Sequence, residues 1–107
     1  MKIKTKKHIA YRSAKPFFEK ILKDPEVRIL FEEEHAKTEI ANAVRSARIK
    51  AGLTQLELAK RIGSVQSVIA RLEGGSDKRT PSLPLLARIA AACGAEFEFG
   101  FRFKRAI

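Results

Sequence analysis

Residues 53–73 read Leu-Thr-Gln-Leu-Glu-Leu-Ala-Lys-Arg-Ile-Gly-Ser-Val-Gln-Ser-Val-Ile-Ala-Arg-Leu-Glu, and this stretch decides the fold. Thr54 and Glu57 at its head form a capping box: each side chain can satisfy a backbone N–H at a helix start. Leu53 and Leu58 flank that box at the two positions of a hydrophobic staple. A helix therefore starts here and ends at Gly63, a residue suited to a left-handed turn. After a short turn, a second helix is predicted over 66–73, with Ile69 and Leu72 inward.

Upstream, Gly52 stops a helix in the usual C-terminal way. That helix covers about 37–51, with Ile40, Val44 and Ala47 inward. Before it, Asp24-Pro25-Glu26 combines a good N-cap, a proline tolerated at the first helical position and an acid at the positive end of the dipole. A helix over about 25–35 follows, with Val27, Leu30 and Phe31 on one face. These two segments are either separate or one bent helix. Ser13 is a candidate cap for a first helix over about 14–23, with Phe17, Phe18, Ile21 and Leu22 on one face.

Downstream, Gly74-Gly75-Ser76-Asp77 closes the 66–73 helix, and a basic loop, Lys78-Arg79-Thr80-Pro81, follows. Ser82 caps a last helix to about 93, with Leu83, Leu86, Ile89 and Ala90 on one face, and Gly94 closes it. Then the period changes. Phe97, Phe99, Phe101 and Phe103 alternate with Glu98, Gly100 and Arg102, which is the pattern of a strand. One strand cannot stand as a sheet, so its expected partner is its copy in a second chain. The organisation expected is an extension over 1–38 (a basic tail plus a short acidic helix), a helical domain over 39–94 and a strand over 95–107.

The chain has 107 residues, a size that fits one domain with a short appendage. No apolar run approaches the roughly 18 residues of a membrane span. The basic start, Met1 to Lys7, is not followed by the apolar core of a secretory signal. A cytoplasmic protein with no membrane partner is therefore expected. Cys93 is the single cysteine, so an internal disulfide and a cysteine-rich metal site are excluded.

The net charge is +10. Such an excess favours a polyanion, because bound Lys and Arg release condensed counterions. Its distribution is uneven. Residues 1–20 hold seven bases and one acid, residues 21–40 six acids and three bases, and residues 41–93 nine bases and three acids. Basic, acidic and basic blocks suggest two surfaces with different partners.

Residues 53–73 resemble the helix-turn-helix core of the lambdoid phage repressors and the wider Xre family. Thr54-Gln55, Glu57-Leu58-Ala59, Gly63, Gln66-Ser67 and Leu72-Glu73 all fall at that family's spacing, and the resemblance runs from about 39 to 93. It implies a mainly α fold: a five-helix Xre, lambda-repressor-like domain, here with an N-terminal helical extension and a C-terminal β-strand. It also implies that the 66–73 helix lies in the major groove with its first residues at the base edges. Gln66 can then bridge two atoms of adenine, and Arg71 can take guanine O6 and N7. Ser64 and Ser67 are short donors or acceptors, and Val68 suits a thymine methyl. Gln55, at a helix start, is placed for a phosphate, as are Lys78 and Arg79 in the loop. The duller alternatives are a polar helix start for Gln66 and Ser67 and solvated charges for Arg71, Lys78 and Arg79. In the repressors the residues matching Arg48 and Glu73 form an interhelical ion pair, a structural support. One departure is Ser64-Val65-Gln66 where the family has Val-Ser-Gln. Valine is a poor N-cap, so either Ser64 caps one residue early or the helix entry shifts.

The flanks carry a closer resemblance. Ile21-Leu22-Lys23-Asp24-Pro25-Glu26-Val27-Arg28 leading to Glu34, and the ending Cys93-Gly94-Ala95-Glu96-Phe97-Glu98-Phe99, are similar to the HigA-type antitoxins of type II toxin–antitoxin pairs. That implies a homodimer that represses its own operon and neutralises a RelE/HigB-type mRNA-cleaving toxin. The acidic 24–39 stretch complements a basic toxin. Phe17, Phe18, Val27, Leu30, Phe31 and Glu34 are candidate toxin contacts. Alternatively, the apolar ones pack on the chain's own core and the acids form a solvated face. Phe97, Phe99 and Phe101 are the candidate dimer strand.

Two other classes compete. One is a stand-alone Xre-family regulator without a toxin. The other, remote, is a basic ribonuclease. His8 and His35 are the only histidines, neither with a motif partner, so no catalytic residue, metal site or cofactor is expected.

Overall fold

The computed structural model describes residues 6–75 and 79–103, with side chains from residue 14. Five helices are present among them: α1 Lys6–Ile21, α2 Pro25–Lys50, α3 Gln55–Arg61, α4 Gln66–Gly74 and α5 Leu83–Ala92. The chain divides into two compact units, residues 1–36 and 37–107.

In the first unit, α1 starts well before the expected position, and Ser13 lies inside the helix instead of capping it. Lys6, Lys7, Ala10 and Arg12 are good helix formers, so the helix extends upstream through them. Pro16 is tolerated inside α1. The turn to α2 comes at the Asp24-Pro25 signal. Asp24 Oδ1 accepts from the Glu26 N–H at 2.9 Å, and the Asp24 carbonyl accepts from the Arg28 N–H at 2.9 Å. Phe17, Phe18, Leu30 and Phe31 are exposed, so they do not pack into a core of this chain. Val27 is half-buried, and Glu34 is exposed. The side chain of His8 lies outside the described residues, while His35 stacks on Phe31.

The two helices expected over 25–35 and 37–51 are one, α2. His35-Ala36-Lys37 contains no glycine or proline, so nothing interrupts the hydrogen-bond ladder.

The second unit holds the core, formed by Val44, Leu53, Leu58, Ala59, Ile62, Ile69, Leu72, Leu86 and Ile89. Its organising joint is the α3–α4 turn. Thr54 Oγ1 accepts from the Glu57 N–H at 3.0 Å, and Glu57 Oε1 accepts from the Thr54 N–H at 2.8 Å. The staple residues Leu53 and Leu58 are both buried. At the other end of α3, Gly63 takes φ +71°. Its N–H bonds the Lys60 carbonyl, and the Ser64 N–H reaches the Ala59 carbonyl at 2.8 Å. This is the paired closure of a left-handed C-cap, which turns the chain within two residues. Ala59 is fully buried, and its small side chain lets α4 cross α3 closely. Ser82 Oγ accepts from the Leu85 N–H and caps α5. Leu86 and Ile89 face the core, but Leu83, expected with them, is exposed. It is the first residue of α5, where the helix start is open to solvent.

The C-terminal expectation needs correction. Residues 95–103 form no strand. Phe97, Phe99, Phe101 and Phe103 are all exposed, the last two by 86% and 93%. The physical reason is that the described chain offers no second strand to receive its N–H and C=O groups.

Candidate nucleic-acid interface

Helix α4 begins at Gln66, with Val65 as its N-cap in extended backbone (φ −121°, ψ 156°). Of the two possible entries, the structure takes the one in which Ser64 is not the cap. The Val65 side chain makes no capping bond, at a cost of about 1 kcal/mol relative to serine or aspartate. Gln66, Ser67 and Arg71 are exposed, while Ser64 and Val68 are half-buried. Inward-facing Ile69 and Leu72 hold the opposite face of α4 in the core. The solvent-facing side of α4 is therefore a mainly polar strip, with Ala70 and the half-buried Val68 as its apolar residues.

Residues 79–82, ahead of α5, lie beside this strip. Val68, Arg71, Arg79 and Pro81 line one cleft of about 290 Å³. Arg79 is exposed. Lys78 lies outside the described residues.

Behind the strip stands a buried charge pair. Glu73, on α4, is only 1% exposed at its side chain. Arg48, near the end of α2, donates Nε to Glu73 Oε2 at 2.6 Å and Nη2 to Oε1 at 2.9 Å. Its Nη1 donates to the Leu53 carbonyl at 2.9 Å, so one guanidinium joins α2, the pre-α3 turn and α4. Planar fork-to-fork pairing of this kind is the strong form of an ion pair. Burial pushes the Glu73 carboxyl up, but hydrogen bonds from Arg48 and Gln55 and the charges of Arg48 and Arg45 outweigh it. The group lies below the ordinary carboxylate value. The hydrogen bond to Glu73 likewise holds Arg48 above its ordinary value against burial.

Two further side chains join this pair. Gln55 Nε2 donates to Glu73 Oε1 at 3.1 Å, and Gln66 Nε2 donates to Gln55 Oε1 at 3.4 Å. Arg45 donates Nη2 to the Glu73 carbonyl at 3.3 Å and stays half-exposed. Arg45 was missed in the sequence. Its signal is the spacing from Arg48, three residues back on the same helix face. The arrangement can present fixed amide and guanidinium donors to an anionic, hydrogen-bonding surface.

Cys93 is half-buried, and burial raises its thiol above the ordinary value, so it is a poor nucleophile. Among the described residues no group of three His, Cys, Asp or Glu could hold a metal ion, and no helix is long and apolar enough to cross a membrane.

Comparison with known proteins gives consistent relatives. The profile of the family described as helix-turn-helix matches residues 44–99. An uncharacterized HTH-type transcriptional regulator of Methanothermobacter thermautotrophicus is 47% identical over 53 residues, which cover 50% of this chain and 74% of the relative. Another, from Archaeoglobus fulgidus, is 43% identical over 60 residues, 56% of this chain and 83% of the relative. Antitoxin HipB of Escherichia coli is 40% identical over 50 residues, 47% of this chain but only 57% of HipB. No solved structure matches significantly.

Proposed function

The chain belongs to the helix-turn-helix family, and on that premise we propose that it is a sequence-specific DNA-binding antitoxin of HigA type that represses its own operon as a dimer. The observation that carries the DNA-binding part is α4: an exposed polar strip of Gln66, Ser67 and Arg71, braced from behind by a buried bidentate ion pair. In this reading α4 enters the major groove, with Gln66 on adenine, Arg71 on guanine and Val68 on a thymine methyl. Ser64 and Ser67 add short polar contacts, while Gln55, Lys78 and Arg79 hold phosphates.

One α4 reads a half-site, so a two-fold pair of chains places two of them about 34 Å apart. The exposed Phe97, Phe99 and Phe101 support pairing of this segment with its copy. So does an apolar cleft of about 270 Å³ lined by Ile40, Ala47, Leu86, Ile89 and Phe97. Phe99→Asp is expected to turn a dimer into a monomer in sedimentation equilibrium. An unchanged dimer mass removes the segment from the interface.

The toxin-binding part rests on the 1–38 segment. Its exposed Leu30 and Phe31 lie within the acidic 24–39 stretch, and Phe17 and Phe18 of α1 are exposed as well, which suits a basic RelE/HigB-type ribonuclease. The 40% identity to an antitoxin, HipB, supports this reading. The second reading, a transcriptional regulator without a toxin, is favoured by the two archaeal relatives. Copurification with the product of an adjacent small basic reading frame separates the two.

The deciding experiment is a titration of the protein against its own promoter and a scrambled duplex at two salt concentrations, beside Gln66→Ala/Arg71→Ala. Tight promoter binding that the double substitution abolishes is expected. Equal, steeply salt-dependent binding to both duplexes, unmoved by the substitutions, leaves only charge at work and sinks the reading.

A further inference from the structure

Helices α3, α4 and α5 each start after a residue in extended backbone. Thr54 and Ser82 use that position to cap α3 and α5 through their hydroxyls. Val65 holds the same position before α4 and has no group to cap with. A serine stands next to it, but the Ser64 N–H closes α3 onto the Ala59 carbonyl, one residue too early to cap α4. The family order, Val-Ser-Gln, would place serine at 65 and valine at 64. The reversed order gives up a cap and turns an apolar side chain outward. Val65 is exposed, while Ser64 is half-buried.

The place of that side chain carries the consequence. An N-cap lies alongside the first turn of its helix, so the Val65 methyls stand at the head of α4, beside the exposed Gln66 and Ser67. This end meets the base edges when α4 lies in the major groove. Valine neither donates nor accepts a hydrogen bond, so it is silent toward the polar atoms there. The apolar group that the groove offers is the C5-methyl of a pyrimidine. We infer that Val65 is a specificity-determining residue that packs on a pyrimidine C5-methyl beside the pair Gln66 reads. Helix α4 thus lacks a cap where it gains a base contact. Val68, further along α4 and half-buried, is left with a different base pair. The inference rests on the DNA-binding reading above.

The test uses the full chain. Selection from a randomised double-stranded library with wild type yields the half-site. Each consensus thymine is then replaced singly by deoxyuridine, which removes only the methyl. Each consensus cytosine is replaced singly by 5-methylcytosine, which adds one. Wild type, Val65→Ala, Val65→Ser and Val68→Ala are titrated against the set. One replacement is expected to change wild-type affinity about fourfold, the worth of one buried methyl group. It is a loss with deoxyuridine if thymine supplies the group, and a gain with 5-methylcytosine if modified cytosine does. That ratio should fall to about one in both Val65 variants and persist in Val68→Ala. The two variants differ in capping. Val65→Ser should raise the thermal midpoint by about 4–8 °C, whereas Val65→Ala should leave it nearly unchanged. A ratio lost in both therefore does not come from helix stability. A general weakening lowers affinity for both members of a duplex pair and leaves their ratio intact. A ratio that survives in both Val65 variants, that is absent from wild type, or that is lost only in Val68→Ala overturns the contact and leaves the DNA-binding reading standing. A library that yields no consensus with wild type overturns both.

Discussion

Glu73→Ala lowers the stability of the 37–107 unit by about 3–5 kcal/mol in urea unfolding, because it leaves a largely buried guanidinium without its counter-charge. Arg48 is 15% exposed at its side chain, so water compensates little. One of its N–H groups keeps the Leu53 carbonyl, while the two aimed at Glu73 lose their acceptor. Arg48→Ala gives a loss of similar size from the other side, since the carboxylate of Glu73 is then held only by Gln55 and the more distant Arg45. The double substitution costs less than the sum of the two, because neither charge remains. The effect depends on pH in a fixed sense. The Glu73 carboxyl lies below its ordinary value in the folded chain, so folding favours its ionised form. Its contribution is complete above the unfolded carboxyl value of about 4.3. It is lost as the pH falls through the lower folded value. The stability gap between wild type and Glu73→Ala should therefore be flat near neutrality and narrow below about pH 4. A gap that stays constant down to strong acid denies the carboxylate its role.

Leu58→Ala costs about 2–5 kcal/mol, through lost burial plus the cavity left behind. Leu58 is 0% exposed and sits where α3 meets the rest of the core. Leu56, two residues earlier in the same helix, is 46% exposed. Leu56→Ala removes the same atoms yet should stay within about 0.5 kcal/mol of wild type. Urea midpoints with unchanged slope measure both. Equal losses at the two positions contradict this packing of α3. DNA binding should track this difference, because α3 carries Gln55 and supports α4.

The parts of this molecule legible in the amino-acid order are those whose partners lie within one helical turn. Thr54 and Glu57 satisfy each other across three residues, Gly63 closes α3 by bonds to Lys60 and through Ser64 to Ala59, and Asp24 and Ser82 cap the helices that begin after them. Such interactions need no knowledge of the rest of the chain. Where local signals compete, the amino-acid order misleads. Ser13 can cap a helix, but the residues before it continue one just as well.

Contacts between distant residues are what tertiary structure decides; of those at Glu73, the family resemblance implies the pair with Arg48, and only the folded chain adds Gln55 and Arg45. Glu73 lies 25 positions from Arg48 and 18 from Gln55, yet one carboxylate meets both. A glutamate among helix formers carries no local mark of burial; only the closure of α2, α3 and α4 around the core excludes water from it. The same dependence explains the Phe-rich end. Alternation marks Phe97–Phe103 as suited to a strand, but a strand exists only when another backbone accepts its hydrogen bonds, and none does so among the described residues. Helices satisfy their backbone within themselves and so can be read from sequence, whereas strands and buried charges are completed by partners far along the chain.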